Sequence, residues 1–319
     1  MREKFAVGVD IGATNLRVAV SDKKGIFRGE LSGRTLKDSS KVFLDQLTNL
    51  IVKVTKKSKV RLEEIGGIGI GSAGPIDLKK GEISPTNLPI KNIPLVKELS
   101  GRFDLPIHLQ NDCNAGAVGE KWFGAAKNLD NFVYITLSTG IGGGAYVDNK
   151  LLLGKDGNAC EIGHLVIDLE GKLKCGCGKR GHWEAYCSGR NVPNFVRYWI
   201  EKNGKEKVDS PVVKSALSNE ITSKKLFDMA KDGSKLALEV VEEMGKLNAM
   251  GIGSIINAYD PSLITIGGSL ALHNEELVLK PIKQNVKNYI RNRLPTIEIT
   301  PLKNKIVLYG GIALVFQNE

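Results

Sequence analysis

The stretch Cys175-Gly176-Cys177-Gly178-Lys179-Arg180-Gly181-His182-Trp183-Glu184, preceded by Glu161-Ile162-Gly163-His164, gathers two thiols, two imidazoles and two carboxylates. His164, Cys175, Cys177 and His182 are the residue types that close a tetrahedral zinc shell. Glycines between them let the chain turn tightly enough for four side chains to share one ion. Glu161 and Glu184 stand beside these ligands, so metal site and carboxylates read as parts of one pocket. The competing reading is a glycine-rich surface loop with reduced thiols. Cys175 and Cys177 are too close together for a relaxed disulfide, and Cys113, Cys160 and Cys187 read as small apolar packing residues.

Three further segments could handle phosphate. In Asp10-Ile11-Gly12-Ala13-Thr14-Asn15 a carboxylate at a strand end can hold magnesium through water, while Gly12 amides and the Thr14 hydroxyl face phosphate oxygens. Ser138-Thr139-Gly140-Ile141-Gly142-Gly143-Gly144 and Gly267-Gly268-Ser269 are turns of the same kind. Each alone reads as a tight turn; three of them, each after a buried strand, read as a nucleotide site. Gly69-Ile70-Gly71-Ser72-Ala73-Gly74 fits the dinucleotide pattern G-x-G-x-x-G, yet Pro75 follows at once and no helix start carries a pyrophosphate, which disfavours hydride transfer. Asn111-Asp112 closes a strand and opens a helix, where either residue can cap and Asp112 can also act as a base.

These residues need a scaffold of strands with tight turns. Phe5–Ile11 resuming at Leu16–Val20, and Phe132–Leu137 resuming at Ala145–Val147, both read as β-hairpins around a glycine turn, which predicts an internal duplication. Apolar residues at helical spacing predict helices over 42–51 and 236–257, the latter with a small-residue face of Gly245, Ala249 and Gly253. Buried strands are expected at 65–70, 107–110 and 261–266. Strands alternating with helices predict an α/β fold.

A chain of 319 residues, 42% hydrophobic, exceeds the usual single-domain size and implies two domains. The formal net charge of +10 would suit an anionic partner, but the lysines and arginines are scattered, which reads as a solvated basic surface and not a nucleic-acid face. No secretory leader and no apolar run of membrane-spanning length is legible, so a cytoplasmic protein without a membrane partner is expected.

The pattern E-x-G-H followed by C-x-C-G-x-x-G-x-x-E resembles the signature of the ROK family of repressors and sugar kinases, with His182 where most members carry a third cysteine. The three phosphate segments resemble, in order, the first phosphate, second phosphate and adenosine motifs of the actin, hexokinase and heat-shock-protein ATPase superfamily. The resemblance runs from Asp10 to Gly311. It implies a two-domain actin-like (ribonuclease H-like) fold with an interdomain cleft: an N-terminal domain of residues 1–112 completed by about 303–319, and a larger domain of 113–302 carrying the zinc loop.

The activity implied is ATP-dependent phosphorylation of a hexose, most simply glucose, at its 6-hydroxyl. Asp112 would be the general base. Gly74, Asn87, Asn111, Asp112, Glu161, His164 and Glu184 would hold the sugar. Asp10, Gly12, Thr14, Asn15, Thr139, Gly140, Gly267 and Gly268 would hold ATP, with Asp10 on magnesium and zinc as a structural ion on His164, Cys175, Cys177 and His182. His164 would direct one ring nitrogen to zinc and the other to sugar. An N-acetylhexosamine kinase is the alternative. A ROK repressor is disfavoured because the first phosphate motif begins within the opening residues. A homodimer or higher homo-oligomer is the implied assembly. Cys160 stands where the family usually has a small residue, and is expected to narrow the pocket or pack behind it.

Overall fold

The computed structural model describes residues 4–85, 88–203 and 210–317. Contacts divide the chain into two compact units, residues 1–130 with 144–159 and 300–319, and residues 131–143 with 160–299. The helix that begins at Asp112 thus falls in the first unit, whereas the sequence reading opens the second domain there.

The first unit is built on a sheet of β1 (Phe5–Ile11), β2 (Asn15–Asp22), β3 (Phe27–Arg34), β4 (Ile65–Ser72) and β5 (Ile107–Asn111), in the order β3-β2-β1-β4-β5. β1 to β3 are antiparallel, and β4 and β5 run parallel to β1. Helix α1 (Ser40–Ser58) starts where the Ser39 side chain accepts from the Val42 amide and buries Phe43, Leu44, Leu47, Ile51 and Val54. These join Val7, Val9, Val18, Ile68 and Ile70 in one core.

Two more helices, α2 (Asp112–Phe123) and α4 (Ile306–Phe316), complete this unit. β4, with the sequence IGGIGIGS, is buried at every position. Its glycines let helices approach the backbone: a Cβ on Gly69 would stand 1.8 Å from Gly311 O, and one on Gly71 would stand 2.4 Å from Val307 Cγ1 and 3.1 Å from Ala115 Cβ. The apolar segment 310–316, read as helical and returning to the first domain, is the end of α4.

The second sheet has β6 (Phe132–Leu137), which leads through a turn into β7 (Ile141–Val147), whose residues from Gly144 on are counted with the first unit, and β8 (Leu263–Gly267), which runs parallel between β6 and β9 (Thr296–Ile299). A hairpin followed by two parallel strands therefore occurs in both sheets, as the repeated sequence grammar predicts. The long helix α3 (Lys235–Tyr259) is capped by Ser234 and ends at Asp260 in the left-handed region. Its small face is used for close packing, since Cβ atoms on Gly245 and Gly253 would meet Pro281 and Tyr289 within 2.3 and 2.7 Å, and on another face a Cβ on Gly251 would meet Trp183 within 2.4 Å. Among the described residues no helix is long and apolar enough to cross a membrane.

Candidate active site

In the first unit the sites gather at the carboxyl ends of parallel strands, the usual ligand edge of an α/β sheet. The register sets Asp10 beside Gly71 and Gly71 beside Gln110, then Ile11 beside Ser72 and Ser72 beside Asn111. Asn111 is the N-cap of α2: its Oδ1 accepts from the Cys113 amide at 2.8 Å, and Asp112 Oδ1 accepts from the same amide at 2.9 Å. Cap geometry thus leaves Asn111 Nδ2 and Asp112 Oδ2 as the groups these residues can offer to a ligand. A Cβ on Gly74 would stand 3.9 Å from Asn111 Nδ2, so Gly74 keeps the space beside that amide open.

Burial raises the pKa of Asp112 against the hydrogen bonds from Cys113 that lower it. Burial also raises Asp10 to about 7; Arg17 opposes this, and the nearby charge of Asp112 adds to it. The Arg17 guanidinium lies 3.6 Å from Asp10 Oδ2 and donates to Asn304 O at 2.7 Å. The Asp10 carboxylate, a hard oxygen donor with a second carboxylate nearby, fits a magnesium ion, which would relieve its repulsion with Asp112.

The turn after Asp10 is tied by its own backbone. The Gly12 amide donates to Asn15 O at 3.0 Å, while the Thr35 hydroxyl donates to Gly12 O and the Thr35 amide to Thr14 O. The expectation that the Gly12 amide faces phosphate is therefore corrected: Gly12 shapes the turn, and phosphate donors there must come from its other groups. Asn87 lies outside the described residues.

In the second unit the four expected zinc ligands converge. One ligand atom from each of His164, Cys175, Cys177 and His182 lies within 4.8 Å of all the others. Cys177 Sγ is 3.3 Å from His182 Nδ1, and Cys175 Sγ is 3.8 Å from His164 Nδ1. Zinc bonds of about 2.3 Å to sulfur and 2.05 Å to nitrogen at a tetrahedral angle place S and N about 3.5 Å apart, so the set fits the ion. Backbone bonds from Cys175 N to Lys179 O and from Gly178 N to Cys175 O form the knuckle that presents the thiols. Burial pushes the Cys175 thiol well above its ordinary value, so a thiolate there needs a cation beside it. His164 turns Nδ1 to the ligand cluster and Nε2 to Glu161, 3.8 Å from Oε2.

Trp183 links the ligand loop to the helical core, and sequence reading alone passed over it. Its ring is fully buried, its Nε1 donates to Asn248 Oδ1 on α3 at 2.8 Å, and its amide donates to Leu165 O. Next in sequence, Glu184 sits against the turn between β6 and β7, where its Oε2 accepts from the Ile141 amide at 3.0 Å. That turn also meets the one after β8: Ser138 and Ser269 share a hydrogen bond of 3.0 Å between their hydroxyls. Gly268 has φ +88°, and a Cβ there would stand 2.4 Å from Leu137 O. Thr139, Gly140, Gly267 and Gly268 are thus brought to one place.

Cys113, Cys160 and Cys187 are buried, as expected of packing thiols. Cys160 has φ +66°, the left-handed region that favours glycine, and its side chain hydrogen-bonds with Tyr259.

The ROK family model matches residues 6–317. A glucokinase from Pyrobaculum calidifontis is 33% identical over 313 residues, covering 98% of this chain and 95% of that protein. A xylose repressor from Caldicellulosiruptor bescii is 30% identical over 321 residues, covering 98% of this chain and 78% of the repressor. Among solved structures, a ROK family glucokinase from Streptomyces griseus, in complex with glucose and AMPPNP, superposes with a TM-score of 0.80 at 28% identity, covering 98% of this chain and 99% of that one. The chain therefore belongs to the ROK family, with its two-domain actin-like ATPase fold, and is an ATP-dependent sugar kinase.

Proposed function

We propose that this kinase transfers the γ-phosphoryl group of ATP to the 6-hydroxyl of glucose, with Asp112 as general base. The observation that carries the reading is the placement of Asp112 at the start of α2, one residue beyond a strand end, with the Asp10 carboxylate close by on the same sheet edge. Asp112 Oδ1 is held by the Cys113 amide, so Oδ2 accepts the proton of the attacking hydroxyl. The hydroxyl oxygen bonds to the γ-phosphorus as the bond to the bridging oxygen of ADP breaks. The transition state is loose, so the proton leaves late and Asp112 chiefly orients the hydroxyl. Asn111 donates through Nδ2 to a neighbouring hydroxyl, and Gly74 leaves room for the ring.

Magnesium, when bound, neutralises charge on the phosphate oxygens, and Asp10 would hold it. Thr14 and Asn15 on one turn, and Thr139, Gly140, Gly267 and Gly268 on the other two, would contact the nucleotide. Glu161, His164 and Glu184 would hold the hydroxyls at the O1 and O2 end of the sugar, with zinc as a structural ion that fixes the angle of the His164 ring. The glucokinase names of the relatives support glucose as the acceptor.

A coupled assay over glucose, mannose, fructose, N-acetylglucosamine and N-acetylmannosamine tests this reading. Glucose should give the highest kcat/KM and yield glucose 6-phosphate, and 6-deoxyglucose should accept no phosphate. Preference for an N-acetylated sugar would overturn the glucose assignment, and no ATP turnover with any sugar would overturn the kinase reading.

A further inference from the structure

We propose that the metal loop braces the phosphate turn through Glu184, so that metal loading sets nucleotide affinity before any sugar binds. This role of Glu184 deepens the kinase reading above and rests on it. As a sugar contact Glu184 would act on hydroxyls; here it is in addition a positioning residue for the turn between β6 and β7.

Both ends of the Glu184 carboxylate are occupied within one unit. Oε2 accepts from the Ile141 amide at 3.0 Å, and Oε1 accepts from the Cys175 thiol at 3.4 Å, a bond that a zinc-bound thiolate gives up, so in loaded protein the Ile141 amide is the partner that the carboxylate keeps. A Cβ on Gly140 would stand 2.7 Å from Oε2, so a glycine precedes Ile141 where the carboxylate needs the space. The chain after Glu184 grips the other arm of the same turn: the Gly189 amide donates to Ser138 O at 2.7 Å and the Arg190 amide to Thr139 O at 3.1 Å. Segment 184–190 therefore holds the turn from both sides.

The start of that segment is fixed by His182 in the ligand cluster and by the buried ring of Trp183. The Ser138 hydroxyl then carries the brace to Ser269, beside Gly267 and Gly268. No sugar takes part in this path. An unfilled ligand set leaves the Cys175 to His182 loop held by fewer restraints, and Glu184 moves with it. The amide of Ile141 then loses a charge-assisted acceptor, and the turn samples conformations that fit phosphate less well.

The test compares zinc-reconstituted protein with chelator-stripped protein, metal content being measured in each. Binding of magnesium-AMPPNP without sugar is followed by calorimetry, and hydrogen exchange of the Ile141 amide is followed without any ligand. Stripping should weaken nucleotide binding about tenfold, the loss expected for one hydrogen bond to a charged group, and speed exchange at Ile141. Glu184→Ala in loaded protein should reproduce both effects and abolish any further loss on stripping. Glu184→Gln keeps an acceptor oxygen and should restore nucleotide affinity to within about threefold. Nucleotide affinity and Ile141 exchange indifferent to stripping, or a Glu184→Ala protein that matches wild type, would overturn the brace. Loaded wild-type protein that binds no nucleotide would overturn the kinase reading instead, and Ile141 exchange would still decide whether the loop holds the turn.

Discussion

Trp183→Phe probes the anchor on which His182 and Glu184 both depend. The indole is 0% exposed, and its N–H donates to Asn248 Oδ1, itself on a residue only 3% exposed. Replacing indole by phenyl leaves that oxygen buried without its donor, which costs about 1–3 kcal/mol. It also removes roughly two carbons' worth of buried apolar volume, about 1.5 kcal/mol. The ring cannot be made good by collapse, because α3 already approaches it closely at Gly251, where a Cβ would stand 2.4 Å from the indole. The total, about 2.5 to 4.5 kcal/mol, lowers the melting temperature of a unit of this size by about 10 °C. Thermal denaturation followed by circular dichroism reads the loss. Adding Asn248→Leu removes the orphaned acceptor and should recover about 1–2 kcal/mol, so the double variant should melt above Trp183→Phe. A Trp183→Phe protein melting within about 2 °C of wild type, or an Asn248→Leu change that only adds its own loss, would refute the anchor.

Asp112→Asn should lower kcat by about a hundredfold to ten-thousandfold while glucose binding, read by calorimetry, stays near wild type; near-full turnover would remove Asp112 from the base role. Burial raises Asp112 and raises Asp10 to about 7, and both must be ionised to act, so kcat/KM should fall as pH drops through neutrality. Because protons and magnesium compete for Asp10, more magnesium should move that acid limb to lower pH, and a limb indifferent to magnesium would place its origin elsewhere. Metal analysis should find about one zinc per chain, and cobalt substitution should give the visible ligand-field bands of a tetrahedral site with thiolate charge transfer, both lost in Cys177→Ala. Zinc-free protein with full activity, prepared without chelator, would leave the loop held by packing alone.

The hairpins, the parallel strands and the long helices were legible because their signals are local: β-branched runs broken by glycine, and apolar residues at helical spacing. The convergence of His164 with Cys175, Cys177 and His182 was legible for the same reason, since three of the four ligands lie in one short loop. Trp183 was not, because its meaning depends on Asn248 and Gly251, which sit on a helix far along the chain. The glycines of β4 fit a dinucleotide pattern that Pro75 argues against, and their actual use appears only when Gly69 meets Gly311 and Gly71 meets Val307. Gly12 misled in the opposite sense. A glycine in a phosphate-like turn has an amide to offer only if the turn does not consume it, and here Asn15 O accepts it.

The two departures from the family pattern, Cys160 and His182, act on the same neighbours in different ways. At φ +66° Cys160 occupies backbone space that glycine enters freely and other residues enter at a cost of roughly 1 kcal/mol. The thiol is buried and bonded with Tyr259, and the backbone conformation accounts for a small residue being usual there. His182 changes charge instead. Two thiolates and two neutral imidazoles around a divalent zinc sum to zero, whereas a third thiolate would leave one negative charge. That charge would sit beside Glu184, whose Oε1 already lies 3.4 Å from the Cys175 sulfur, and near Glu161, which faces His164 Nε2. A neutral metal centre therefore lowers the repulsion on two carboxylates that must stay ionised and close to it. The histidine variant of the loop keeps the tetrahedral fit while making Glu184 easier to hold on the Ile141 amide despite the thiolate beside it.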